Sequence, residues 1–170
     1  MHFMFRFLKK LFAAKKWNAA LAWQATGQSA GTAYWMHAAP VHLVLQRDTF
    51  SLAGPVPLAL TAQEVEALTN TLNQHFMADE MVFFWHEQQW FLRLNAHPNI
   101  ETSAPDLAIQ KDIAAFAPTG AGAMAWAAKS NEIQMLLFEH PVNQAREAAR
   151  LPVINSIWCY GGGQLAESSQ

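Results

Sequence analysis

Two aromatic, β-prone runs, Met81–Trp85 and Trp90–Leu94, stand only four residues apart, with His86-Glu87-Gln88-Gln89 between them. Runs of that composition and spacing pair as an antiparallel hairpin, so the chain must build at least part of a sheet. Helical segments are interspersed with it. Thr61 and Glu64 have capping-box spacing, and Val65, Leu68, Leu72 and Phe76 then share one helical face. Ala123 to Glu139 reads as a long helix with Trp126, Ile133, Leu137 and His140 near one stripe, stopped by Pro141. Val142–Ala149 reads as a shorter helix, and Val153–Tyr160 as a buried strand. Val41–Gln46 alternates as a strand, separated from the apolar Ala33–His37 by Pro40. The expected fold is α+β: a mostly antiparallel or mixed sheet of about four to six strands, covered by helices.

Composition narrows the class. With 170 residues, 52% of them hydrophobic and 14% charged, the chain can bury one core without disulfides and is not disordered. Its one cysteine, Cys159, excludes a disulfide framework, and its apolar surroundings make it a structural thiol. No apolar run reaches the ~18–20 residues that span a bilayer. A soluble, cytoplasmic domain is expected, and a net charge of −2 argues against nucleic acid as a partner.

Charge is unevenly placed. Met1 to Arg47 carries six basic residues and no acid, the first carboxylate being Asp48. Within residues 1–23, Met1, Met4, Leu8, Leu11 and Phe12 fall on one helical face, while Arg6, Lys9, Lys10 and Lys16 cluster on the other. Lysines interrupt every candidate export signal here. Such a helix either docks on its own domain or a twin subunit, or makes weak peripheral contact with an anionic membrane. The polar, glycine-containing stretch 24–32 reads as a linker, 33–163 as one globular α/β domain, and 164–170 as a flexible tail.

Chemistry-bearing constellations are few. The seven histidines are scattered, none at metal-ligand spacing, so neither metal nor cofactor is expected. Gly161-Gly162-Gly163 offers backbone N–H groups to a phosphate, but phosphate loops normally feed a helix, and a plain strand exit fits as well. Glu139-His140-Pro141-Val142-Asn143 with Arg146 gathers an acid, an imidazole, an amide and a guanidinium, a set suited to gripping an oxyanion. The alternative is that Pro141 stops one helix, Asn143 caps the next and Arg146 is solvated. Asn155 and Trp158 are three apart, hence on opposite faces of a strand; Trp158 is expected buried, with Asn155 facing a cleft or bonding backbone.

The block Asn131–Asn143, Arg146 and Leu151–Gly163 resembles the bacterial family of regulatory proteins of RpfE type, and Ala33–His37, Pro40–Leu43, Arg47-Asp48 and Trp90–Arg93 are consistent with it. Tyr160 stands where that family usually has a second tryptophan. The succession His140, Asn143, Arg146, Asn155, Ile157, Trp158, Gly161 and Gly163 is also similar to one in archaeal-type cofactor-independent phosphoglycerate mutases. There it belongs to a region inserted into a phosphatase-like core that carries two metals and a serine nucleophile. This sequence contains no Asp-Gly and no Asp-His-Ser of the kind that holds those metals, and Lys111-Asp112-Ile113 stands nearest to the mutases' Asp-Pro-His.

The resemblance implies an isolated insertion lobe without catalytic residues of its own. On that resemblance a regulatory or ligand-binding domain is expected, one that keeps a weak phosphate or carboxylate pocket at His140, Asn143, Arg146, Asn155, Gly161 and Gly163, for a small phosphorylated acid. Two alternatives stand beside it. One is a mutase or phosphatase-like enzyme acting on such an acid. The other is an interaction module, with a homodimer or another protein as partner.

Overall fold

The computed structural model describes residues 17–166. Most of the basic helix expected over 1–23, and the last residues of the tail, lie outside them. In the described part a helix, α1 (Ala19–Ala25), is followed by strands β1 (Tyr34–Gln46) and β2 (Thr49–Ala53), helix α2 (Ala62–His75), strands β3 (Val82–His86) and β4 (Gln89–Leu94), helices α3 (Ala123–Phe138) and α4 (Pro141–Ala148), and strand β5 (Ser156–Gln164). The fold is α+β, as the sequence pattern leads one to expect. No described helix is long and apolar enough to cross a membrane.

β1 organises the sheet. β5 pairs with it over Tyr34–Val41, β4 over Tyr34–His37, and β2 over His42–Gln46, all antiparallel, with β3 outermost on β4. Tyr34, Met36 and Ala38 point into the main core, together with Phe83, Trp90, Leu92, Ile157 and Cys159 from the other strands. Val65, Leu68 and Leu72 of α2 and Trp126, Ile133 and Leu137 of α3 close that side. On the opposite face, Ala19, Ala20 and Trp23 of α1 cover Trp35 and Phe91, with Trp23 stacked on Trp35 at 4.7 Å between centroids. The first eight residues of β1 are all buried, and burial on both faces explains why they are apolar apart from His37.

Three local readings need correction. Pro40 does not divide β1. It lies between the stretches paired by β4 and by β2, so its missing N–H deprives no neighbouring strand, and its carbonyl accepts from Leu58 N–H at 2.9 Å. The β3–β4 connection is a two-residue turn, Glu87-Gln88, both at positive φ, the backbone form that matches strand twist. The glycine triplet does not end the ordered chain: β5 runs through it to Gln164, which pairs with Tyr34. A Cβ at Gly162 would overlap the Tyr34 hydroxyl, and one at Gly163 would overlap the Asn18 amide. Glycine lets the chain leading into α1 lie directly on the strand backbone.

Candidate functional site

The capping box at the start of α2 forms as the spacing implies. Thr61 N–H donates to Glu64 Oε2 (2.9 Å) and Glu64 N–H to Thr61 Oγ1 (3.2 Å). The same carboxylate then accepts from Arg146 Nη1 at 3.0 and 3.1 Å, while Arg146 Nε–H donates to the Pro152 carbonyl at 2.7 Å. Arg146 is buried and its side chain is 7% exposed, against 19% for Glu64. The guanidinium thus ties α4 to α2 and to the segment before β5.

His140 caps α4. Its Nδ1 accepts from Val142 N–H (3.1 Å), which fixes the proton on Nε2 in the neutral ring. Nε2–H then donates to Thr71 Oγ1 (2.9 Å), which donates to the Ala67 carbonyl (3.0 Å). Burial lowers the pKa of His140, a hydrogen bond to the Ala67 backbone opposing in part. A proton on Nδ1 would also face the Val142 N–H.

Asn143 and Asn155 act as pieces of backbone. Asn143 Nδ2–H donates to the Leu137 and Ile154 carbonyls (2.8 and 2.6 Å), and its Oδ1 accepts from Ile154 N–H (2.8 Å). Asn155 accepts from Leu43 N–H (2.7 Å) and donates to the Leu43 carbonyl (2.8 Å), extending the β5–β1 ladder by one side chain. His42 holds the Val153 carbonyl from the same strand (2.8 Å). Asn143 and Arg146 therefore hold the segment Pro152–Ile154, which leads into Asn155, while the His140 ring is turned toward Thr71 of α2. The polar atoms named here are turned on the protein's own groups. Gly161 and Gly163 lie toward the other end of β5, packed under Trp17 and Asn18, away from that cluster.

Two described cavities are of similar size: one of about 530 Å³ adjoins that cluster, lined by His42, Asn143, Pro152 and Asn155, and the other lies elsewhere. A groove of about 540 Å³ runs between β2, the short turn of 3₁₀ helix Ile113–Phe116, α3 and the start of β5. Trp126, Phe116, Ile157 and Trp158 give it apolar walls, and Ser130, Gln134, Ser156, Asp48 and Asp112 line it with polar groups. Trp158 is only half-buried, contrary to expectation, because its indole N–H reaches across to the Ser103 carbonyl (2.8 Å) instead of into the main core. Gln134 Nε2–H approaches Ser156 Oγ at 3.4 Å. Asp112, from the stretch that stands nearest the mutases' Asp-Pro-His, caps Ala114 N–H (2.9 Å) at the rim. Cys159 sits on the groove floor, where burial pushes its thiol up to about 12.

Beneath Trp17, the ring of His37 is buried against Tyr160 and Phe91, and its Nε2 finds no hydrogen-bond partner among the described residues. Burial lowers its pKa to about 4. Among the described residues, no group of three histidines, cysteines or carboxylates is placed to hold a metal ion.

No family model matches this chain, and no curated protein does. A solved structure does. The cofactor-independent phosphoglycerate mutase from Thermoplasma acidophilum DSM 1728 superposes with a TM-score of 0.56 at 16% identity, over 78% of this chain and 37% of that chain. The likeness is one of fold. It agrees with the mutase-like succession in the C-terminal block, and this chain spans little more than a third of the mutase's length.

Proposed function

We propose that the chain is a non-catalytic, ligand-binding regulatory domain on a phosphoglycerate-mutase-like fold, with the groove between Trp126 and Trp158 as its binding site. The observation that carries this reading is the groove itself. Its volume falls in the range of small-molecule sites, and it combines indole walls with a few polar groups at Gln134 and Ser156. A phosphorylated acid, the ligand the resemblance implies, is poorly matched. Asp48 and Asp112 give the groove rim negative charge, and the Arg146 guanidinium is already paired with Glu64. The site favours a neutral or cationic ligand with a planar apolar body, held by stacking on tryptophan. The resemblance of the C-terminal block to the RpfE-type family is what suggests a regulatory role. The mutase-like fold is what favours the second reading, an enzyme acting on phosphoglycerates.

Three probes separate the readings by thermal shift and calorimetry: tryptamine, indole-3-acetate and 3-phosphoglycerate. Tryptamine should bind and stabilise, indole-3-acetate less so, and 3-phosphoglycerate not at all. Ser130→Phe, which fills the groove, should abolish the response. Stabilisation by 3-phosphoglycerate with no response to tryptamine, or measurable interconversion of phosphoglycerates, would overturn the proposal.

A further inference from the structure

Helix α3 is apolar on two sides. One side, Trp126, Ile133 and Leu137, is buried in the main core. On the other, Met124, Met135 and Phe138 are 88%, 75% and 82% exposed, the three most exposed large apolar side chains of the described residues. Together with exposed Ala128 and Asn131 they follow a 4-3-4-3 spacing, the repeat that keeps a seam facing one partner helix. A surface helix normally keeps its outer face polar. The charged residues within α3, Lys129 and Glu132, do not interrupt this seam, being engaged with Asp79 and His75 at its side.

We infer that this face joins two copies of the chain through an antiparallel α3–α3 contact about a two-fold axis at Asn131. The positions are complementary to themselves. Met124 and Phe138 lie seven residues on either side of Asn131, so each methionine meets the partner's phenylalanine, a favourable sulfur–aromatic contact. Met135 meets the small Ala127 of the partner subunit, and the two Asn131 amides meet on the axis, where each can donate to the other. The exposed alanines 125, 127 and 128 let the helices approach closely. The three large side chains alone offer roughly 400–500 Å², at ~150–200 Å² for each fully exposed. That is about half of the ~800 Å² that each partner contributes to a standard interface. Exposed Leu151, which lines a groove with Phe138, extends the patch beyond the helix. This inference is independent of the Trp126–Trp158 groove.

The full chain should sediment at twice its 19.0 kDa mass and dissociate on dilution between about 200 and about 1 µM, as expected for an interface of modest area. Met135→Glu with Phe138→Glu should give a monomer that melts at the temperature of the wild type diluted to about 1 µM, where it too is monomeric, both residues being exposed. Asn131→Cys, oxidised with copper phenanthroline, should crosslink to a covalent dimer. Met124→Cys should not, since it lies about 10 Å along the helix from the axis and its mate is beyond disulfide reach. A monomer at all concentrations, a dimer that survives both glutamates, or crosslinking through residue 124 and not 131 would overturn the inference. So would a monomer that dimerises only when residues 1–16 are deleted, because that segment would then be what covers the face.

Discussion

Replacing Arg146 by methionine keeps most of the side-chain volume and removes the charge. In the structure this strands the Glu64 carboxylate, 19% exposed, and leaves the Pro152 carbonyl without its donor. Breaking a buried ion pair from one side costs ~3–5 kcal/mol. Glu64 keeps the Thr61 amide and some solvent, which puts the cost near the lower end, about 3 kcal/mol. For a chain of this length that lowers the melting temperature by about 6–12 °C. Circular dichroism at 222 nm, with thermal and urea unfolding at pH 7, measures it. Glu64→Gln, which preserves an acceptor for the cap, strands the arginine in turn. The double variant should cost less than the two singles added, by roughly 2 kcal/mol, the signature of direct coupling. An arginine held free for a ligand behaves differently, because its removal leaves stability unchanged or raises it. A melting temperature within a degree or two of the wild type, with no coupling to Glu64, would refute the scaffold role.

Further outcomes follow from the same geometry. His37 has a folded pKa near 4 against 6.5, so the unfolded chain binds the proton first as pH falls. Stability should therefore be flat above pH 6.5 and decline between 6.5 and 4, by up to about 3 kcal/mol, with lowered His140 acting in the same direction; a denaturant midpoint independent of pH across that window would contradict it. Cys159, its thiol pushed up to about 12, should resist Ellman's reagent at pH 8 in the native protein and react fully in urea, whereas rapid native labelling would show an open floor to the groove. Gly162→Ala should destabilise the protein measurably by driving a methyl group into the Tyr34 hydroxyl, and the added Tyr34→Phe change should recover part of the loss.

The parts of the fold that were legible in the sequence are those set by neighbours along the chain. The Thr61–Glu64 box, the α2 and α3 stripes and the β3–β4 pairing all rest on contacts within a few residues. The Glu87-Gln88 turn has no signature in the sequence because neither residue is a usual occupant of positive φ, and the strand pairing on both sides imposes it. Strand β2 carries a short, partly exposed sequence whose place is fixed by β1. The His140–Arg146 cluster was visible as a motif, but its chemistry was not. Whether an arginine is free or paired depends on Glu64, 82 residues away in sequence, and whether an asparagine faces ligand or backbone depends on the strand beside it. The groove draws on β2, the 3₁₀ turn, α3 and β5 together, so no local pattern announces it; in the loop before α3 only the Asp112-Ile113 pair stands out in the sequence, and both line it.

The central claim is that ligand meets the Trp126–Trp158 groove while the Arg146 cluster serves as framework. Proton–nitrogen correlation spectra of the full chain during a tryptamine titration test it directly, because the Trp126 and Trp158 indole N–H groups and the Arg146 Nε–H each give a resolvable signal. The account predicts that the two indole signals shift saturably while the Arg146 Nε–H, bonded to the Pro152 carbonyl, stays in place with either tryptamine or 3-phosphoglycerate. Movement of the Arg146 signal with 3-phosphoglycerate, the indoles remaining still, would contradict it.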